Sequence, residues 1–316
     1  MDRYAFGVDV GGTTVKLGLF DGEGSVLDKW EIPTNTSHHG EAILPDVAAG
    51  ILGKMTEKGI AENELAGIGI GVPGPVDSMG NLVGGAVNLG WGEFNIPNEL
   101  RKHLKFGEEV LVKAANDANA AAFGEMWQGG GKGYKNLVAV TLGTGVGGGI
   151  IVDGKILTGA NGVGGEIGHI HIEDAETESC NCGQKGCLEQ YASATGIVRL
   201  AGRRLAKDNK PSILRGGSIS AKSIFDAVKE GDAVAVEIAE QFGEYLGKGL
   251  GIVSCVVNPE IFVIGGGVSK AGEILLAYIQ PAFSRYIFSA CKNTKFALAK
   301  LGNDAGIYGA AGLILR

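Results

Sequence analysis

The stretch VDVGGTTVKLGLFDG at residues 8–22 returns, position for position, as VTLGTGVGGGIIVDG at residues 140–154. In each copy a β-rich run meets a glycine turn, a second apolar strand follows, and an Asp-Gly pair closes a hairpin. Gly11 falls on Gly143 at the same offset that aligns the two Asp-Gly pairs. A gapless match over a whole hairpin favours an internal duplication and therefore predicts a protein with two similar halves.

Strand and helix patterns alternate along the rest of the chain. Apolar spacing predicts a helix over residues 41–59 and a buried strand over 65–77, which a Pro-Gly-Pro turn ends. A strand over 108–117 runs into a helix, and residues 260–279 form the pattern of a strand, a third glycine turn and a helix. This alternation predicts an α/β protein whose two halves enclose a cleft, which is the natural ligand site.

The composition limits the classes of function. The chain has 316 residues, enough for two domains, with a formal charge of -7 and a pI of about 5.4. So acidic a chain gains little from counterion release, which argues against a nucleic-acid partner. The absence of an apolar run of about 20 residues predicts no membrane span, and the N-terminus lacks the pattern of a secretory signal. We therefore expect a cytoplasmic protein, and in the cytoplasm clustered cysteines are more often metal ligands than disulfides.

The glycine turns are the first candidates for ligand binding. The run GTGVGG at 143–148 matches the dinucleotide fingerprint, but a strand follows it instead of the required helix. Glycine and threonine can instead point backbone N–H and hydroxyl donors at phosphate, so the two turns predict a pair of clasps for a nucleotide. The alternative is that both are plain hairpin turns. The first clasp would consist of Gly11, Gly12, Thr13 and Thr14, and the second of Gly143, Thr144, Gly145 and Gly147.

Two polar motifs supply candidate acid-base residues. NDAN at 116–119 lies where a strand ends and a helix starts, so Asp117 is either a general base or a helix N-cap. GGEIGH at 164–169 carries Glu166 and His169 in a loop that enters a short helix. For this second pair the alternatives are a surface ion pair and a histidine whose ring nitrogens have ordinary hydrogen-bond partners.

Three of the five cysteines, Cys180, Cys182 and Cys187, stand within the run CNCGQKGC. A disulfide between the first two would close a small, strained ring, and redox pairs usually have two intervening residues. Three thiolates and one imidazole instead complete a closed tetrahedral zinc site, although C-x-C is tighter than the common ligand spacing. His169 and His171 both precede the cluster, and spacing does not choose between them.

Together these motifs resemble the ROK family of sugar kinases (repressor, open reading frame, kinase), and most closely its bacterial glucokinase branch. The likeness covers essentially the whole chain, from GVDVGGTTVKLGLFD through GVPGPVD, NDANAAAFGE, LGTGVGGGIIVDG and GGEIGHI to CNCGQKGCLEQYAS and VIGGGVS. It implies the duplicated hexokinase/actin-like α/β fold, with two domains and the active site in the cleft between them. It further implies a small domain of residues 1–120 plus about 300–316, which the last helix rejoins, and a large domain of 121–299 with the zinc-binding loop.

The resemblance also assigns roles to the motifs. It implies ATP-dependent phosphorylation of glucose at the 6-hydroxyl, with Asp117 as general base and with Mg²⁺ at the phosphates near Asp9. It makes His169 the fourth ligand of a structural zinc ion, beside Cys180, Cys182 and Cys187. Sugar hydroxyls would be bound by Asn116, Glu166, His169 and Glu189, and the nucleotide by Asp9, Gly11, Gly12, Thr13, Thr14, Lys16, Gly143, Thr144, Gly145, Gly265, Gly266 and Gly267.

Two expectations follow from the order of these residues along the chain. The zinc ligands lie close in sequence to Glu166 and Glu189, so the metal is expected to position both glutamates, whereas the glycine turns lie elsewhere. We therefore expect loss of zinc to weaken sugar binding far more than ATP binding. We also expect a bulky side chain at Gly145 to block the nucleotide and to leave sugar binding intact.

Several alternatives stay open within this resemblance. The sugar could be N-acetylmannosamine, N-acetylglucosamine, fructose or mannose instead of glucose, and ADP or polyphosphate could be the donor. A non-catalytic, sugar-sensing regulator is disfavoured because the first hairpin begins by residue 4, which leaves no room for a DNA-binding domain. A nucleotide-dependent oxidoreductase is disfavoured by the strand that follows GTGVGG. We expect a glycolytic enzyme that forms a homodimer or a higher homo-oligomer.

Overall fold

The computed structural model describes residues 3–316, in which strands and helices alternate as the sequence predicts. The strands are β1 (Tyr4–Val10), β2 (Thr14–Phe20), β3 (Val26–Pro33), β4 (Leu65–Val72), β5 (Asn81–Leu82), β6 (Phe94–Asn95), β7 (Leu111–Asn116), β8 (Leu137–Leu142), β9 (Val146–Val152), β10 (Lys155–Ile156), β11 (Ile261–Gly265) and β12 (Lys295–Leu298). The helices are α1 (Ser37–Gly40), α2 (Ile43–Lys58), α3 (Ile96–Leu104), α4 (Asp117–Gln128), α5 (Glu189–Ala192), α6 (Ala194–Leu205), α7 (Ala221–Lys229), α8 (Ala233–Val257), α9 (Ile274–Tyr286) and α10 (Ala305–Leu315).

Each half contains a five-stranded sheet, and the two sheets share one topology. The first has the order β3-β2-β1-β4-β7 and the second the order β10-β9-β8-β11-β12. In both, the first three strands in sequence are antiparallel neighbours, a fourth strand lies parallel beside the first, and a fifth lies parallel beside the fourth. The predicted duplication is therefore confirmed at the level of strand order and direction.

The two hairpins that carry the sequence repeat differ in the length of their turns. The first pairs Val10 with Val15, whereas the second pairs Leu142 with Val146. The second turn is therefore one residue shorter, and the gapless alignment of the two copies is one residue out of register after it. The Asp-Gly turn that follows β9 has φ of 51° at Asp153 and 76° in the next residue, as a two-residue hairpin turn requires.

The predicted helix boundaries lie within a few residues of the observed ones. The helix expected over 41–59 is α2, which ends at Gly59 in the left-handed conformation, with φ of 67°. The long helix α8 ends in the same way at Asn258, with φ of 45°, and Pro259 follows it. No helix within residues 3–316 combines the length and the apolar character needed to cross a membrane.

Helices α4 and α10 pack against each other where the two halves meet. Helix α10 also contacts β1 and β4 of the first sheet, whereas α4 contacts β9 of the second. Glycine permits this approach, because a Cβ at Gly309 would lie 1.6 Å from the carbonyl oxygen of Ala120 and one at Gly124 would lie 2.3 Å from that of Ala305. The last helix thus returns to the first half, and the boundary at 120/121, which falls within α4, stays a prediction.

Candidate active site and metal centre

Asp117 lies at the carboxyl end of β7, in the first turn of α4. The N-cap of that helix is Asn116, whose side-chain oxygen accepts from the backbone N–H of Asn119 at 3.1 Å. Asp117 Oδ1 instead accepts from the backbone N–H of Ala118 at 2.8 Å and from the Asn116 amide at 2.9 Å. The capping interpretation is therefore wrong for Asp117, since the neighbouring asparagine already performs that task.

Three carboxylates surround the point where the two halves meet. Burial raises the pKa of Asp117, the backbone N–H of Ala118 and the Asn116 amide counteract that rise, and the charge of Glu166 adds to it. Burial and the charge of Asp117 together raise the pKa of Asp9 to about 6, against the opposing effect of Lys16. Asp9 and Asp117 are therefore suited to hold a cation or to accept a proton, because burial and a neighbouring carboxylate raise the cost of ionising each of them.

Lys16 lies opposite Asp9 in the β1–β2 ladder. Its ammonium group donates to the backbone carbonyl oxygen of Asn303 at 2.9 Å, just before α10. Lys16 therefore connects the first hairpin to the returning helix, and its predicted role with the nucleotide stays a prediction.

The turns of the two hairpins present unpaired backbone N–H groups. Gly11 N–H closes the first turn on the carbonyl oxygen of Thr14, and Gly143 N–H closes the second on that of Gly145, both at 3.0 Å. These two donors are therefore occupied. Within the described part of the chain, four other N–H groups of the turns donate to no protein acceptor, those of Gly12, Thr13, Thr144 and Gly145.

The third glycine turn lies beside the second hairpin. Gly265 ends β11 next to Thr141 of β8, and Gly267 begins a short 3-10 helix. Gly266 has φ of 83°, and a Cβ there would lie 2.5 Å from the carbonyl oxygen of Leu142. Only glycine fits this contact, which brings the three predicted glycines to the base of the second hairpin turn.

The three clustered cysteines and His169 converge as the donor set of one metal ion. One ligand atom from each residue lies within 4.8 Å of the others. The sulfur atoms of Cys182 and Cys187 are 3.6 Å apart, and Cys180 Sγ lies 3.8 Å from His169 Nδ1. In a tetrahedral zinc site with thiolate bonds of about 2.3 Å, neighbouring ligand atoms lie about 3.8 Å apart, so these two separations match such a site and the four residues could hold a zinc ion.

The ionisation of the thiols supports the same assignment. Burial raises the pKa of Cys180 to about 12 and also raises the pKa of Cys187. A backbone hydrogen bond from Gln184 lowers the pKa of Cys182, which is exposed. Two buried thiols become thiolates only beside a compensating charge, and a divalent cation supplies that charge.

The structure separates the two histidines that spacing leaves equivalent. His171 has one ring nitrogen 2.8 Å from the carbonyl oxygen of Lys185 and the other 2.8 Å from an Asp174 carboxylate oxygen. His169 presents Nδ1 to Cys180 and has Nε2 3.9 Å from Glu166. The metal-facing nitrogen is therefore Nδ1 of His169, and Nε2 faces the predicted sugar site.

Glu189 connects the metal centre to the second hairpin. Cys180 Sγ donates to its Oε1 at 2.9 Å, and His169 Nδ1 lies 3.9 Å from the same oxygen. A Cβ at Gly145 would lie only 2.6 Å from the other carboxylate oxygen of Glu189. A cavity of about 670 Å³ runs between the cysteine loop and this turn, with Thr144 and Gly145 in its wall. The glycine turn is thus adjacent to the sugar-binding candidates, which corrects the expectation that distance in sequence keeps the two apart.

Sequence reasoning missed the start of α6 as part of this arrangement. Ser193 caps the helix through the N–H of Gly196, and Thr195 Oγ1 donates to the carbonyl oxygen of Thr144 at 2.8 Å. The backbone N–H of Ala194 donates to the Gly143 carbonyl oxygen at 2.8 Å. A serine before a helical pattern is a recognisable N-cap signal, but nothing in the sequence says which turn that helix contacts.

Comparison with known proteins agrees with this geometry. The model of the ROK family matches residues 5–316. The chain belongs to the ROK family. It is 42% identical to the glucokinase of Halalkalibacterium halodurans over 99% of this chain and 95% of that protein. It is 38% identical to the glucokinase of Thermotoga maritima, over 98% of this chain and 96% of that protein.

A solved ROK structure has the same fold. The ROK family glucokinase from Streptomyces griseus, in complex with glucose and AMPPNP, is 34% identical to this chain over 98% of both, with a TM-score of 0.72. Together with the family match, this likeness confirms the predicted hexokinase/actin-like fold.

Proposed function

We propose that this ROK protein is a glucokinase, which transfers the γ-phosphoryl group of ATP to the 6-hydroxyl of glucose. The observation that carries the proposal is Asp117, a buried carboxylate with a raised pKa at the carboxyl end of β7, which lies close enough to Asp9 of the first hairpin to raise its pKa as well. The choice of glucose and ATP is supported by the 42% identity to a glucokinase and by the likeness to a glucokinase in complex with glucose and AMPPNP.

The residues of the cleft divide the chemistry between positioning and proton transfer. The free N–H groups of the two turns hold the phosphates, and Asp117 accepts the proton of the 6-hydroxyl as its oxygen attacks the γ-phosphorus. The bond from that phosphorus to the bridging oxygen breaks, and ADP leaves. Mg²⁺, when bound, neutralises phosphate charge, and Asp9 is the residue that would hold it, mostly through water.

The sugar is held from the opposite side of the cleft. Glu166, Glu189 and Nε2 of His169 offer acceptors and a donor to its hydroxyls, and Asn116 adds an amide beside the general base. A structural zinc ion held by His169 and the three cysteines would fix these groups relative to one another. With four protein ligands it would have no position for substrate, so it would support sugar binding only by positioning these residues.

We further propose that the enzyme acts in glycolysis in the cytoplasm and forms a homodimer. Unpaired thiols at a metal site fit a reducing compartment. Support for the dimer comes from two apolar side chains one helical turn apart near the end of α8, Ile252 and Val256, which are 40% and 78% exposed. Val256→Asp is expected to convert the dimer to a monomer in size-exclusion chromatography.

The test of the proposed activity is formation of glucose 6-phosphate from glucose, ATP and Mg²⁺ in a coupled assay. Stoichiometric appearance of glucose 6-phosphate and ADP supports the proposal. Absence of ATP-dependent product with every hexose tried would exclude a sugar kinase.

A further inference from the structure

A second anchor, separate from the metal ligands, holds the loop between His169 and Cys180. We define it as the Glu176 anchor, formed by Glu176, Tyr191, Arg199 and Arg203. The Glu176 side chain is only 1% exposed, and Ile172 is the other buried residue between His169 and Cys180. A buried carboxylate in a polar loop is rare unless its oxygens are all engaged.

The carboxylate of Glu176 is saturated with donors from three elements. The hydroxyl of Tyr191 donates to it from α5. Arg199 and Arg203 of α6 approach its oxygens at 2.6 Å and 3.1 Å. The backbone N–H groups of Thr177 and Glu178 donate to Oε1 at 2.8 and 2.9 Å. Charge-assisted bonds of this kind fix geometry as well as stabilise it.

The balance of these contacts keeps Glu176 ionised. Burial alone would raise its pKa, but the Tyr191 hydroxyl, the Glu178 N–H and the two arginines outweigh burial and lower the pKa. Arg199 and Arg203 therefore face a permanent negative charge, and the anchor does not depend on a metal ion.

The anchor reaches the sugar site through α5. Tyr191 is fully buried and lies two residues after Glu189 in that single helical turn. Its ring stacks on Tyr245 of α8 at 4.1 Å between centroids, which fixes it from the far side. Arg199 also donates to the carbonyl oxygen of Gln190, the residue next to Glu189, at 3.4 Å. Any shift of Glu176 therefore moves the backbone that carries Glu189.

We propose that Glu176 is a positioning residue for sugar binding, which orients Glu189 through Tyr191 and Arg199 independently of the zinc ligands. This inference rests on the proposed function, because it takes Glu189 as a sugar ligand. The zinc ion fixes the segment 180–187, whereas the Glu176 anchor fixes the segment before it and the helical turn after it. Two separate attachments thus hold one sugar-binding face.

The test is Glu176→Gln, which keeps the size of the side chain and removes its charge. We expect KM for glucose to rise about tenfold, which is the size of effect expected when a residue that orients a binding group is changed. Glucose binding is lost equally in the ground and transition states, so kcat is expected to stay within about threefold. KM for ATP and the content of one zinc per chain are expected to be unchanged. Tyr191→Phe, which removes one hydroxyl, is expected to shift KM for glucose in the same direction by less.

Glu237→Gln is the matched control. Glu237 pairs with Arg204, the buried arginine of α6, and among the described residues it makes no hydrogen bond or ion pair with the loop or with α5. This variant is expected to lower the melting temperature without raising KM for glucose. Equal KM increases in Glu176→Gln and Glu237→Gln would show a general loss of stability and would overturn the proposal.

Hydrogen exchange gives a readout that does not depend on activity. In Glu176→Gln, amides of residues 189–192 are expected to exchange faster while zinc stays bound, and this result stands even if glucose is not the substrate. An unchanged glucose KM in both anchor variants, unchanged exchange at 189–192, or loss of zinc from Glu176→Gln would each overturn the proposal. Failure of the wild-type protein to phosphorylate glucose would instead contradict the proposed function alone.

Discussion

Gly145→Ala tests the contact between the turn of the second hairpin and Glu189, the proposed sugar ligand. The added Cβ would lie 2.6 Å from Glu189 Oε2, whereas ordinary contacts begin near 3.4 Å. The carboxylate must therefore move by about 0.8 Å. Because it is the far end of a flexible side chain, this movement costs little stability, and the melting temperature is expected to change by less than about 2 °C.

The displaced carboxylate has a much larger effect on catalysis. Misplacement of a substrate-positioning group by about 1 Å can cost about 10²-fold in rate. We therefore expect kcat/KM for glucose to fall by about 10- to 100-fold. The affinity for glucose without nucleotide is expected to fall as well, which reverses the expectation from sequence that only the nucleotide is affected.

Steady-state kinetics and calorimetric titration with glucose measure both effects. Gly147→Ala is the matched control on the same hairpin, because its Cβ would meet only the Thr141 Cβ at 3.8 Å. It is expected to leave glucose affinity within about twofold of the original. If Gly145→Ala binds glucose as tightly as the wild-type protein, the contact with Glu189 does not govern sugar binding and the reasoning is refuted.

Four further predictions concern the base and the metal. Asp117→Asn is expected to lower kcat by about 10²- to 10⁴-fold and to keep the fold, since Asn116 caps the helix; a variant with more than a tenth of normal turnover would rule out Asp117 as the base. Because burial raises the pKa of Asp117, kcat/KM is expected to fall on the acid side from a pH above the ordinary value of 3.8, and a profile flat down to pH 4 would contradict this. An ionised carboxylate with a raised pKa destabilises the fold at neutral pH. Because the pKa of Asp117 is raised, Asp117→Asn is not expected to lower the stability of the protein at that pH. Cys182→Ser is expected to contain no zinc by elemental analysis and to bind glucose more weakly. Its affinity for ATP is expected to fall by less, and it falls at all because Gly145 borders the same cavity. Cys255→Ser, outside the cluster, is expected to keep both its zinc and its glucose affinity.

Much of the fold was predictable because the hairpin repeat encodes the start of each sheet. Alternation, turn residues and apolar spacing are local properties, and they located α2, β4, β7 and β11. The one-residue difference in length between the two turns was not predictable, because both sequences are compatible with a turn that leads into a second strand. Pairing across a sheet decides the register, and the sequence on one strand does not record it.

The site was predictable residue by residue but not as an arrangement. Spacing left His169 and His171 equivalent and the family resemblance favoured His169; the contacts of His171 with Lys185 and Asp174 agree with that choice. Glu176 lies in an acidic, polar stretch that is typical of a solvated loop, so the local sequence did not indicate that its carboxylate is buried. Contacts between residues far apart in sequence depend on tertiary packing, which propensity and periodicity do not describe.

The most direct test of the proposed function is kcat/KM for a panel of sugars with ATP and Mg²⁺. Glucose, mannose, fructose, N-acetylglucosamine and N-acetylmannosamine share the attacked hydroxyl and differ chiefly around the first two ring carbons. We predict the highest kcat/KM for glucose, with phosphate on its 6-hydroxyl. A kcat/KM at least tenfold higher for N-acetylmannosamine or fructose would contradict the assignment as a glucokinase, even if the protein remains a sugar kinase.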